Sequence, residues 1–272
     1  MAESAATMPT RLPTTAGLLM AQIRYQLRTM LRSPRAVFAG IALPAVLLVL
    51  SDSKQQGLPI NVMAGFGVLG LTITAWSTHG ISLVGARQSG VLKRWRATPL
   101  PRWCYFVARL TSTVLLATVA GAVPLIMGRT LFGVHLAMGG VLLALGMLVL
   151  GALAWAAPAT AITALIPNAD SAWPILSLTF LPIVLVSGVF GSLSNVPQWI
   201  TAAATYFPAQ PVINAVTRAL HGAPISAHDL LTMACWIAGG FAASLVFFRW
   251  EPRLPAAGRH TRHAEAPARP AA

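Results

Sequence analysis

Six apolar runs organise this sequence, at about 35–51, 62–84, 103–127, 137–166, 172–192 and 229–249. A helix rises 1.5 Å per residue, so crossing a hydrocarbon core takes about 20 apolar residues. Each run is near that length. The first is short and holds Pro44, and the fourth is long and holds Pro158, so kinks and tilts are expected there. Ahead of the first run, Leu19, Ile23, Leu27 and Leu31 recur every fourth residue, with Met30 beside them. Arg24, Arg28 and Arg32 form a second stripe about 100° away. This spacing predicts a basic amphipathic helix over 15–33 that lies in the membrane interface. Pro34 ends it and hands the chain to the first span.

The stretch between the fifth and sixth runs is too patterned for a bare loop. Asn195 is expected to cap a short helix with Pro197 and Gln198 in its first turn and Trp199 and Ile200 following. Phe207 and Pro208 stop it. Pro211 is expected to start a second helix carrying Val212, Ile213, Val216 and Leu220, closed by Gly222. The prediction is an outer-leaflet hairpin over 195–221, with Asn195, Pro197, Trp199 and Phe207 as its gate residues. Non-spanning structure persists at membrane depth only when packed on protein or lining a wet cavity.

Composition excludes a soluble enzyme. The chain is 56% hydrophobic and only 9% charged, with a mean hydropathy of +0.69, against about 25% charged residues in soluble domains. The formal net charge of +13 does not imply nucleic acid, because the basic residues border apolar runs instead of crowding one polar domain. With both termini inside, sixteen arginines and lysines fall on the cytoplasmic side, and only Lys54, Arg129 and Arg218 fall outside. That asymmetry sets the expected topology and adds anionic lipid headgroups as neighbours. Cys104 and Cys235 have no metal-ligand or disulfide spacing and read as small apolar filler. No cleavable signal sequence is expected. Residues 1–14 and 254–272 read as disordered polar ends flanking one transmembrane domain over 15–253.

The most distinctive linker follows the second run. It carries Arg87, Lys93, Arg94 and Arg96 and no acid. Gly90 relaxes the backbone, Val91, Leu92 and Trp95 line one helical face, and Thr98-Pro99-Leu100-Pro101 ends the helix rigidly. A short cytoplasmic helix with an apolar knob and a basic rim suits docking on a soluble partner. The plain alternative is a positive-inside loop that clamps headgroups.

Few other residues carry candidate chemistry. His79 is the clearest ionisable residue inside a run. It reads either as a pathway residue or as a hydrogen-bonded tie between helices. Asp170, in the tight loop Pro167–Ser171, reads as a helix cap. Trp155, Trp173, Trp199, Trp236 and Trp250 read as interfacial belt anchors. The pairs Gly139-Gly140 and Gly239-Gly240 read as sites of close helix packing. No G-x-x-x-x-G-K-[ST] phosphate loop is present, so this chain is not expected to hydrolyse ATP by that route.

Three motifs in order carry a family resemblance. Arg87-Gln88-Ser89-Gly90-Val91-Leu92-Lys93-Arg94-Trp95-Arg96-Ala97-Thr98-Pro99 resembles the signature after the second span of ABC-2 type exporter permeases, nearest to the actinobacterial daunorubicin-resistance type. Arg32-Ser33-Pro34-Arg35-Ala36 resembles that family's junction between interfacial helix and first span. Ser187-Gly188-Val189-Phe190, then Asn195-Val196-Pro197-Gln198-Trp199 and Phe207-Pro208, resembles its segment before the final span. The likeness covers about residues 17–250.

The resemblance implies an all-α, six-span permease in the bacterial plasma membrane that pairs with a like subunit, identical or not. It implies two nucleotide-binding subunits that consume ATP and magnesium, with no cofactor held by this chain. It implies that 87–97 is the coupling helix, with Arg87, Gly90, Leu92, Arg94, Trp95, Arg96, Thr98 and Pro99 as its residues. Arg24, Arg28 and Arg32 then belong to a helix that also touches the ATPase. Ala86 and Gln88 stand where the family usually carries acids, a departure that bears on the acidic contact with the ATPase. The expected activity is ATP-driven export of an amphipathic drug, lipid or glycoconjugate. An ion-gradient-driven transporter and a non-transporting anchor are the alternatives. The first is disfavoured by the lack of mid-span acids and of a clear repeat.

Overall fold

The computed structural model describes residues 14–51, 58–90, 102–134, 137–189 and 197–247. All regular structure among them is helical. Six helices are long and apolar enough to cross a membrane, which makes the chain a multi-pass membrane protein. The elements are α1 (Thr15–Leu31), α2 (Pro34–Ser51) and α3 (Ile60–Gln88), α4 (Arg102–Thr130), α5 (Met138–Ile162), α6 (Ala169–Val186), α7 (Gln198–Ala204), α8 (Ala209–Leu220) and α9 (Ala227–Phe247). Residues 1–13 and 248–272, including the expected polar ends and Trp250, lie outside the described residues.

The spans sit within a few residues of the apolar runs, because in lipid a helix is the one segment that satisfies all its own backbone groups. α3 is the central staff. Its residues Met63 to Ser77 are buried throughout, between α4, α5 and α8. α2, α6 and α9 form the periphery and leave large apolar side chains such as Leu50, Leu178 and Leu245 exposed, the faces that lipid or another subunit covers.

Small residues set the spacing, since lipid tails remove the hydrophobic drive between helices and leave close packing to hold them. A Cβ on Gly70 would lie 2.6 Å from the Gly40 carbonyl, and one on Gly240 would lie 2.5 Å from the Pro158 nitrogen. Of the two sequence pairs, Gly140 and Gly240 meet neighbouring backbone, whereas Gly139 and Gly239 face open space. Trp155 corrects the belt expectation. It is fully buried and packs edge-on against Trp76 at 5.5 Å and 82°. Trp173 and Trp199 are exposed, as an anchor requires. Cys104 is buried filler, but Cys235 is exposed on α9.

Two wide, π-type turns interrupt the first two spans, at Phe38–Ala42 and Ile73–Thr78. They lie against one another through Gly40 and Thr74, and the Thr74 hydroxyl donates to the Gly70 carbonyl at 2.9 Å. Such turns carry an extra residue and recur at functional positions.

The segment before the last span folds unequally. α8 is a full member of the bundle, burying Val212, Ile213, Val216 and Leu220 against α5, α3 and α9. α7 is peripheral and buries only Ala204. Pro197 occupies the N-cap position instead of the first turn, and α8 starts at Ala209, two residues before Pro211. Gly222, at φ +69°, follows the C-cap residue His221, the left-handed turn that glycine favours.

Candidate functional site

The end of α3 is where the sequence placed its docking linker, and the structure gives that end an internal task. Arg87 is 6% exposed. Its Nη1 donates to the Thr163 carbonyl at 3.0 Å, and its Nη2 donates to the Ile166 carbonyl. Thr163 is the C-cap of α5, whose last carbonyls lack helical partners. A guanidinium there satisfies them and complements the negative end of the helix dipole. Next to it, Gln88 Oε1 accepts from the Ala169 backbone N–H at 2.7 Å, at the first residue of α6. Arg87 and Gln88 therefore tie the last turn of α3 to both ends of the α5–α6 turn. Gly90 follows at φ +70°, a left-handed conformation that releases the chain from the helix axis.

Arg87 is thus turned into the protein, which sequence reasoning did not anticipate. Leu92, Arg94, Trp95, Arg96, Thr98 and Pro99 lie outside the described residues, as does Asn195. Pro197 and Phe207 are described on either side of α7. Phe207 lies 6.0 Å from the Trp236 ring, and Trp236 Nε1 donates to the Tyr206 carbonyl at 2.7 Å. Trp199 is 73% exposed. The cap of α6 is Asn168, whose side chain accepts from the Ser171 N–H at 2.9 Å. Asp170 is instead a first-turn acid beside it, a correction to its expected role.

The inward face of α1 adjoins its apolar stripe, with Leu19, Ile23 and Leu27 half-buried. Its buried residues are Gln22, Gln26 and Met30, while Leu31 is exposed. Arg24, Arg28 and Arg32 are exposed as expected. The reason lies across the interface on α4. Arg109, 4% exposed, donates from Nη1 to Tyr105 Oη at 3.1 Å and to Gln26 Oε1 at 3.4 Å. Its Nη2 donates to the Ser82 hydroxyl. Ser112 Oγ lies 3.2 Å from the Ile23 carbonyl. A buried guanidinium needs such partners, so Gln26 turns inward to meet Arg109, with Leu19, Ile23 and Leu27 half-buried alongside. Periodicity of apolar residues alone misses this. The usable signal was a pair of polar residues four apart, Gln22 and Gln26, matching Tyr105 and Arg109 at the same spacing.

His79 lies one turn before this cluster. Its Nδ1 is 2.8 Å from Thr113 Oγ1, and its Nε2 is 2.9 Å from Thr160 Oγ1. The Thr160 hydroxyl gives its single hydrogen to the Ala156 carbonyl, 2.9 Å away. Nε2 then donates to Thr160, and a neutral ring accepts from Thr113 at Nδ1. The imidazole joins α3, α4 and α5 in one polar tie.

A cavity of about 1030 Å³ opens beside these residues, between α1, α2, α3, α4 and α6. Both π-type turns contribute to its wall through Ala39, Ile73, Ser77 and Thr78. Its lining is mixed, with Arg109, Tyr105 and Ser82 among its polar residues and Leu43, Phe180 and Leu181 among its apolar ones. Among the described residues no group of three or more histidine, cysteine or acidic side chains is placed to hold a metal.

Comparison with known proteins agrees with this architecture. A family model described as ABC-2 type transporter matches residues 17–220, from the first turn of α1 to the last residue of α8. No curated protein matches the chain.

Proposed function

The chain belongs to the ABC-2 type transporter family, a permease subunit of an ABC-type transporter, and from that premise we propose that it drives export powered by a separate ATPase. The observation that carries this reading is the Arg87–Gln88 tie. A push on the linker after Gly90 reaches the α5–α6 turn through it without passing through lipid. In this reading, 87–97 is the coupling helix, Leu92 and Trp95 are its knob in the ATPase, and Arg94 and Arg96 rim it. Two nucleotide-binding subunits consume ATP and magnesium beneath a pair of permeases, this chain with itself or with a similar subunit. The basic asymmetry supports placing both termini and α1 on the cytoplasmic side of a bacterial plasma membrane.

The cargo reading follows from the mixed cavity, whose walls suit an amphipathic drug, lipid or glycoconjugate better than a hydrated ion. Closure of the ATPase pair on ATP moves the coupling helices inward and rearranges α2, α3 and α6 around the cavity, and cargo leaves outward. The exposed Trp199 and the α7–α8 segment then flank the exit.

Inside-out vesicles carrying the chain and its co-purifying ATPase test this. ATP-dependent uptake is measured for daunorubicin, a long-chain alkyl phosphate and a fluorescent glycolipid. Uptake of at least one that survives a protonophore is expected. Uptake that needs an ion gradient and ignores ATP would instead favour a secondary transporter.

A further inference from the structure

Resting on the transporter reading, we propose that the cavity binds amphiphiles with an anionic headgroup, a phosphate or a carboxylate, seated at Arg109 with the tail along α2 and α6.

The cavity is built around a charge that no carboxylate among the described residues pairs. Arg109 is almost wholly buried yet lines the cavity wall. Its three hydrogen bonds go to neutral oxygens of Tyr105, Gln26 and Ser82, and its Nε has no partner. An arginine at membrane depth ordinarily meets a carboxylate, or marks a ligand pathway. Among the described residues no carboxylate forms an ion pair with it. Asp170 also lines the cavity, but it belongs to the first turn of α6 and makes no ion pair with Arg109 or Arg35. His79, the nearest titratable side chain of the tie, has both nitrogens engaged by threonines and supplies no negative charge. Gln26 and Tyr105 hold the guanidinium in a fixed orientation, so little order is lost when an anion arrives.

The remaining wall fits a tail. Leu43, Phe180 and Leu181 from α2 and α6 line it together with Ile73 and Ile81 of α3. Its volume of about 1030 Å³ lies at the upper end of the usual range for small-molecule sites. Arg35, in the first turn of α2, also lines it and adds a second positive charge to its wall.

Direct binding to the purified full-length chain in a non-ionic detergent tests this without any ATPase, so its failure is separable from failure of the transport reading. The probes are hexadecyl phosphate and hexadecyltrimethylammonium, which share a tail and differ in charge. The anionic probe is expected to bind at least about tenfold tighter, a difference that Arg109→Gln abolishes and Arg109→Lys partly keeps. Equal affinities, tighter binding of the cation, or full anion preference in Arg109→Gln would overturn the proposal. If Arg109→Gln does not fold, a photoreactive alkyl phosphate on the unaltered protein decides. Labelling of α3, α4 or α6 at the cavity supports the site, and labelling confined to α9 contradicts it. Competition with dioleoylphosphatidate distinguishes the source. Displacement by the two-chain lipid indicates a membrane headgroup, displacement only by hexadecyl phosphate indicates a soluble amphiphile, and displacement by neither refutes the site.

Discussion

The guanidinium of Arg87 donates to the Thr163 carbonyl at 3.0 Å, which fastens the last turn of the second span to the end of the fourth. A lysine cannot reproduce this fork, because it offers a point charge on a flexible stem. Arg87→Ala leaves buried carbonyls without a donor and is expected to cost about 1.5–3 kcal/mol. Arg87→Lys should cost less but still weaken the tie. In vesicles, Arg87→Lys is expected to keep ATP turnover while lowering cargo movement per ATP. Unchanged transport in both variants, at normal protein levels, would remove Arg87 from the coupling route.

Gly240 and Gly239 make a controlled pair. A Cβ at Gly240 would collide with the backbone of Pro158, whereas one at Gly239 meets nothing. Gly240→Ala is expected to destabilise by about 1–3 kcal/mol through overpacking. Gly239→Ala should be neutral, or stabilising by up to about 1 kcal/mol through helix propensity. Thermal unfolding of the two purified variants reads the difference, and equal midpoints would show that α9 is not seated on α5 as described.

His79 and Thr113 should be energetically coupled. A double-mutant cycle with His79→Ala and Thr113→Val is expected to give an interaction of about 0.6 kcal/mol, and no more than about 1.7, as hydrogen bonds between membrane helices usually do. Additive effects would mean that the 2.8 Å contact contributes nothing to stability. A His79→Gln variant that folds normally yet moves no cargo would assign the residue to the pathway instead.

Topology is open to single-cysteine labelling in a background with Cys104 and Cys235 replaced. Ser89 and Ser194 are expected to react from opposite sides of the membrane, Ser89 from the cytoplasm, given the distribution of basic residues. Labelling of both from outside would contradict the six-span path.

The six spans were legible because length and hydropathy together decide what crosses a bilayer. What escaped the sequence were polar residues whose partners are far away in it. Arg87 and Arg109 both counted as positive-inside charges, yet each is buried by an acceptor on another helix, Thr163 and Gln26. Gln26 turns inward on α1 for the same reason, beside the half-buried Leu19, Ile23 and Leu27. Trp155 looked like a belt residue because composition cannot show that Trp76 stands opposite. The wide turns at Phe38–Ala42 and Ile73–Thr78 leave no periodic trace, since one extra residue per turn is invisible in an apolar run. Asn168 and Asp170 are both good caps, and only backbone geometry separates them. Gln88 was read as a missing acid. In the fold it keeps the acceptor oxygen that Ala169 needs, without the charge.

Whether 87–97 joins this permease to a separate ATPase is read from the ATP-hydrolysis rate per permease in affinity-purified preparations. Wild-type chain and Trp95→Ala are purified side by side at equal membrane insertion. The wild type is expected to carry an ATP-hydrolysing subunit with it, and Trp95→Ala to lose about tenfold of that activity, the loss of roughly 1.4 kcal/mol at an interface anchor. A wild-type preparation without ATP hydrolysis, or a Trp95→Ala preparation that retains all of it, would contradict the account.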